Sequence, residues 1–161
     1  MFQAVAEAMR FGRALCAVLA AAWVFGTGGG VAAQTSATDS PLGLWRTIDD
    51  KTGKPRSVVR IYEENGRLFG RIVRGFDARE NERRCTLCSD ERRDQLLRGL
   101  LIIRNFKPDG AEYVDGDILD PDNGKTYSAR MKLEEGGRKL AVRGFVGISL
   151  FGRSQVWERE P

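Results

Sequence analysis

Beyond its N-terminal segment, this chain alternates hydrophobic and polar positions with a period of two. The cleanest run is Thr126 to Leu133. Tyr127, Ala129, Met131 and Leu133 fall on one face, and Thr126, Ser128, Arg130 and Lys132 on the other. A period of two with one wet face is what an antiparallel strand with a solvated outer side requires. Strand signals of this kind also occur at Leu44 to Ile48, Ser57 to Glu63, Arg67 to Val73, Leu100 to Phe106, Glu112 to Leu119, Lys139 to Phe145 and Ser154 to Arg159. Turn residues separate them. Asn65-Gly66 joins the second and third, since both residues tolerate positive φ. Pro108-Asp109-Gly110, Asp120 to Gly124 and Glu135-Gly136-Gly137 mark later turns. The stretch from Gly116 to Arg159 thus reads as four strands with almost nothing between them.

Eight short strands joined mostly by hairpins predict an all-β fold. We expect a single antiparallel up-and-down meander that closes into a small barrel, its interior filled by side chains or holding one small ligand. A two-sheet sandwich is the alternative. One segment breaks the rhythm. Residues 74–98 are charged and carry no strand signal, apart from a possible helical turn at Asp94 to Leu97. A connection of that length is functional or disordered in most proteins.

The N-terminus follows a different pattern. Arg10 and Arg13 precede an apolar run from Ala14 to Phe25, then Gly26 to Gly30 and the small residues Val31-Ala32-Ala33. The run is shorter than the roughly 20 residues of a membrane span. It predicts a helical signal peptide over 1–33, cleaved after Ala33. A polar, disordered lead-in over 34–40 and a single domain over 41–161 follow. The expected location is therefore exported, periplasmic or secreted, with no stable membrane anchor after cleavage.

Composition narrows the chemistry. The net charge is +4, and acids are interleaved with the arginines along the long connection. A nucleic-acid footprint would be a one-sign face, so no nucleic-acid partner is expected, and the charged segment reads as a solvated loop. There is no histidine. That removes Ser-His-Asp and Cys-His catalysis and histidine metal ligands.

Cys85 and Cys88 lie three apart in the long connection. In an exported protein the default is a local disulfide that shapes the loop. A redox pair would sit at a helix start after a βαβ unit, and that pattern is missing. A zinc site would need carboxylates, such as Asp90 and Glu91, to complete it. The acids of Asp115 to Asp122 lack calcium-loop spacing and read as turn formers. No metal site, cofactor or catalytic residue is assigned. In a closed meander the first and last strands are neighbours. Gly43 and Trp45 should therefore meet Trp157 and Arg159, with a guanidinium over an indole as one possible closing contact. Asp120, Tyr127 and Arg143 lie on adjoining strands and form the best candidate for a polar ligand or structural cluster.

Glycine-x-tryptophan on the first strand with a late arginine resembles the signature of the lipocalin and calycin group. Five further blocks occur in order. They are Cys85-x-x-Cys88 before Gly99-Leu100, Asp120-Pro121 with Asn123 to Tyr127, Val142 to Phe145, Leu150 to Arg153, and Gln155 with Trp157. Together they resemble the bacterial exported proteins grouped as domain-of-unknown-function family number 2147, over Pro41 to Arg159. Leu96-Leu97-Arg98 departs from the pattern, where a proline is expected nearby. The resemblance implies a lipocalin-like barrel and carries no known activity. The expected function is a non-enzymatic, monomeric binder of a small apolar or amphipathic ligand. The alternatives are a protein-interaction or inhibitor module acting through the loop at 74–98, and a redox protein using Cys85 and Cys88.

Overall fold

A computed structural model describes residues 39–147 and 152–161. The expected signal peptide over 1–33, most of the lead-in, and the Leu150-Phe151 part of one family block lie outside the described residues. The fold is a closed antiparallel barrel of eight strands in sequence order. The strands are β1 (Gly43–Ile48), β2 (Pro55–Glu64), β3 (Arg67–Gly75), β4 (Leu101–Asp109), β5 (Glu112–Asp120), β6 (Lys125–Glu134), β7 (Lys139–Phe145) and β8 (Gly152–Arg159). β8 returns to β1 through the pairs Trp45 with Arg159 and Arg46 with Glu158. Closure removes both sheet edges, which would otherwise present unpaired N–H and C=O groups.

The period of two sorts the side chains. Tyr127, Ala129, Met131 and Leu133 point inward on β6, opposite Ile118, Gly116, Val142 and Leu140 on its two neighbours. At one end the interior is solid. Trp45, Val59, Ile61, Phe106, Met131, Leu140 and Trp157 are buried there as one cluster. Gly116 is required by this packing. A Cβ at that position would lie 2.1 Å from the Phe106 ring, far inside van der Waals contact. The backbone of β5 can approach the ring only without a side chain.

Two local expectations are corrected. Pro108 is inside β4, paired with Tyr113, and the turn is Gly110–Ala111. The helical turn is at α1 (Ala78–Glu82), where the Asp77 side chain accepts from the Arg79 N–H as an N-cap. Residues 94–97 are not helical, and Leu96 instead bridges to Arg84.

The long connection between β3 and β4 is likewise no free loop. It packs against the outer side of β4, β5 and β6. Cys85, Cys88, Leu97 and Leu100 are buried, and the backbone of Leu87 lies against Gly124. Arg92 is the fastener. It is 3% exposed, and its guanidinium donates to both Asp90 oxygens, to the Leu101 carbonyl at 3.3 Å and to Thr126 Oγ1 at 2.8 Å. In β4 the pairing skips a residue, Leu101 facing Arg71 and Ile103 facing Gly70. This irregularity lets Ile102 line the cavity beside Ile103, so the apolar run does not alternate.

Candidate functional site

The other end of the barrel is open. Between the walls lies a cup of about 470 Å³. Its floor is Trp157, Val142 and Ile72, and Ile118 rises on one side. Thr47, Ser57, Gln155 and Tyr127 form a polar belt above. The belt groups are bonded to one another and to the rim. The Thr47 and Ser57 hydroxyls are 2.8 Å apart, and Trp157 Nε1 donates to Gln155 Oε1 at 3.3 Å. Gly144 faces the same space, and a Cβ there would meet only ordinary van der Waals contacts.

The rim is built from the β1–β2, β3–β4, β5–β6 and β7–β8 connections, with Glu80 and Leu97 of the long β3–β4 connection among the lining residues. Arg56 donates two hydrogen bonds to Asp122, at 2.5 and 2.7 Å. Arg83 donates to the same carboxylate and to Glu80. The Arg56 hydrogen bond, with help from Arg83, holds the Asp122 carboxyl well below the usual carboxylate range, and the same pairing pushes Arg56 up. Asp50 accepts from Arg153 and from Gln155 Nε2. Arg56, Arg83, Arg153, Glu80, Asp50 and Asp122 are therefore held in ion pairs at the rim, and Lys51 lines it without one among the described residues.

Of the polar trio read from the chain, two members meet here. Asn123 Nδ2 donates to Asp120 Oδ2 and to the Tyr127 hydroxyl, each at 3.0 Å, and so ties them together. Arg143 does not join them. Its neighbours Val142 and Gly144 face the cup, so Arg143 is on the outer face, where it donates to Ser154 Oγ at 3.0 Å. A single step in a period of two separates the two faces. Thr47, Ser57, Arg56, Gln155 and Arg153 were not singled out from the chain. For Thr47, Ser57, Gln155 and Arg153 the signal was parity relative to Trp45 and Trp157, which becomes readable once the seam strands are paired. Arg56 has the opposite parity to Ser57 and carried no such signal.

Gly43, Trp45 and Arg159 come together at the closed end. The Arg159 guanidinium carbon is 4.3 Å from the Trp45 ring centroid. Its nitrogens donate to the carbonyls of Gly137, Leu42 and Ser40 at 2.7, 3.0 and 2.7 Å. Gly43 has φ +122°, and a Cβ would crowd Arg159 at 3.3 Å. Trp45 Nε1 donates to the Pro41 carbonyl at 2.7 Å. Trp157 lies farther in, between this plug and the cup. Cys85 and Cys88 form a disulfide with a Cα–Cα distance of 5.4 Å. Among the described residues, no group of three or more Cys, Asp or Glu is arranged to hold a metal ion.

The architecture has a solved counterpart. It is similar to protein HP1028 from Helicobacter pylori, described as belonging to the lipocalin family, with a TM-score of 0.67 and 19% sequence identity. The match covers 76% of this chain and 84% of that one. At that identity the likeness is one of fold. No curated protein matches the chain. Residues 43–159, the whole barrel from the glycine of the plug to its arginine, match a family described as "uncharacterized protein conserved in bacteria" (DUF2147). The chain belongs to that family.

Proposed function

We propose that this protein is a non-enzymatic, exported binder of one small amphipathic molecule, seated in the cup with its apolar part against Trp157, Val142 and Ile72. The cup carries this reading. Its volume of about 470 Å³ falls within the roughly 300–1,000 Å³ of small-molecule sites. Its floor is apolar and its belt polar, so an amphipathic guest can satisfy both. Apart from Lys51, most rim charges are paired with one another, so hydrogen bonding and burial are the main sources of affinity. The lipocalin-like fold supports the reading by analogy of architecture, and the N-terminal pattern supports export.

The test uses Gly144→Leu. The added side chain enters the cup at a position where a Cβ fits, so the barrel should keep its circular dichroism and melting temperature. Binding of an environment-sensitive apolar dye, followed by displacement with medium-chain alcohols, should be lost in the variant and present in the parent. Trp157 at the floor gives a second readout through its own fluorescence. Equal dye binding by parent and variant refutes the assignment, as does native mass spectrometry showing no co-purified or added amphiphile on the parent.

A further inference from the structure

The outer wall of β2 and β3 carries a cluster of arginines without acidic partners. Arg60 and Arg71 are paired directly across the two strands. Their neighbours Ile61 and Gly70 point inward, so both arginines point out. Arg71 donates to the Gly99 carbonyl at 3.0 Å, which brings Arg98 alongside. Arg84 and Arg98 then flank a shallow groove next to Val73 and Leu96, with Glu82 as its acid. Arg60, Arg71, Arg84 and Arg98 are all exposed. Most other arginines of the barrel have a carboxylate within 4 Å, as Arg46, Arg56, Arg74, Arg83, Arg92, Arg104 and Arg153 do. None of these four forms a salt bridge among the described residues. Folding has sorted charges that are mixed along the chain. Several acids of the long connection pair at the rim or with Arg92 and Arg104, and this wall is left with a net positive charge, Glu82 in the groove and Glu64 on β2 being its acids.

We propose that this wall docks on the surface of an anionic phospholipid bilayer. Guanidinium groups match phosphate oxygens through paired hydrogen bonds and remain charged at any physiological pH. The groups around the cluster suit a membrane interface. Tyr62 and Phe69 stack on each other at 6.0 Å beside Arg71, and Tyr62 accepts from Arg71 at its hydroxyl. Leu96 is partly exposed at the groove. Aromatic residues with one polar end belong at the headgroup level. Single-stranded nucleic acid fits less well. It is held through ring faces free for stacking, whereas the two rings of this wall stack on each other. The proposal is independent of what occupies the cup.

The side chains of Arg60 and Arg98 make no hydrogen bond or ion pair among the described residues, so replacing them costs no polar side-chain contact. Co-sedimentation should show the protein on vesicles of mixed phosphatidylglycerol and phosphatidylcholine, and not on phosphatidylcholine alone. Binding should weaken as salt shortens the screening length from about 10 Å at 0.1 M to about 3 Å at 1 M. Arg60→Gln with Arg98→Gln should lower partitioning by about 25-fold, at roughly fivefold per arginine near an anionic surface. The charge-matched control Lys125→Gln with Lys132→Gln, on β6, should bind like the parent. Three results overturn the proposal. They are no preference for phosphatidylglycerol, equal binding by the arginine double variant and the parent, and capture of a single-stranded oligonucleotide with no capture of vesicles.

Discussion

Replacing Arg159 with methionine tests how the barrel is closed. Methionine keeps an unbranched apolar stem against Trp45 and removes the charge and the donors. Of the three carbonyls that Arg159 reaches, those of Gly137 and Ser40 are bonded in partly buried surroundings, and that of Leu42 is at the surface. Counting about 1 kcal/mol for each partly buried bond and nothing for the exposed one gives about 2 kcal/mol. The guanidinium over the Trp45 ring adds about 0.5–1 kcal/mol at a half-exposed site. The expected loss is therefore about 2.5–3 kcal/mol, a large share of the 5–15 kcal/mol that holds a domain together. For a barrel of this size that corresponds to a fall of roughly 10 °C in melting temperature. Thermal unfolding followed by circular dichroism is the assay. Arg159→Lys should recover about half, since an ammonium can sit over the ring and reach one carbonyl but cannot fork across two. A melting temperature within about 2 °C of the parent for Arg159→Met, when each kcal/mol is worth about 4 °C, would show that the plug is ornamental and that ladder pairing alone closes the seam.

Other outcomes follow from the same geometry. Gly116→Ala should destabilise strongly, because its Cβ would meet the Phe106 ring at 2.1 Å; adding Phe106→Leu should recover part of the loss, and additive destabilisation in a denaturant melt would contradict the contact. The Cys85→Ser, Cys88→Ser pair should lower stability by about 2 kcal/mol, the chain-entropy value for so short a ring. Because Arg92 still fastens the outer layer, limited proteolysis should leave the 76–100 segment protected, and rapid cleavage there would assign the fastening to the disulfide instead. Asp90 titrates at about 2, chiefly because Arg92 hydrogen-bonds its carboxylate, below the roughly 3.9 of an unfolded aspartate. Its folded value is depressed, so its contribution is present above about pH 4 and lost as the pH falls toward 2. Burial pushes Asp117 the opposite way. Asp90→Asn should flatten the fall in melting temperature over that window, and an unchanged slope would remove Asp90 from the acid response.

The strands were legible because each one is a local pattern. Alternation from Thr126 to Leu133 and the Asn65-Gly66 turn need no knowledge of the rest of the chain. The seam was legible too, since a meander of this kind brings its first and last strands together. Features set by register were not. Val58 and Val59 straddle a bulge, and Asn105 and Asp115 adopt positive φ at irregular points of β4 and β5. Each such point breaks the count by which inside and outside are assigned. Arg92 shows the same limit for charge. An arginine among acids reads as solvated until the fold places Thr126 and the Leu101 carbonyl within its reach. Pro108 was misplaced because its preference for turn positions yielded to strand pairing one residue farther on.

The plug at the closed end also fixes the polarity of the whole molecule. Ser40 and Leu42 are held by Arg159, and the Glu160 N–H donates to the Leu44 carbonyl at 2.9 Å. Both described chain ends therefore leave the barrel beside each other, at the pole opposite the cup. A linker or surface attached at either end holds the protein by its base and presents the mouth outward. The two ends could also be spliced to each other and the chain reopened at Gly110–Ala111 without moving any residue of the cup.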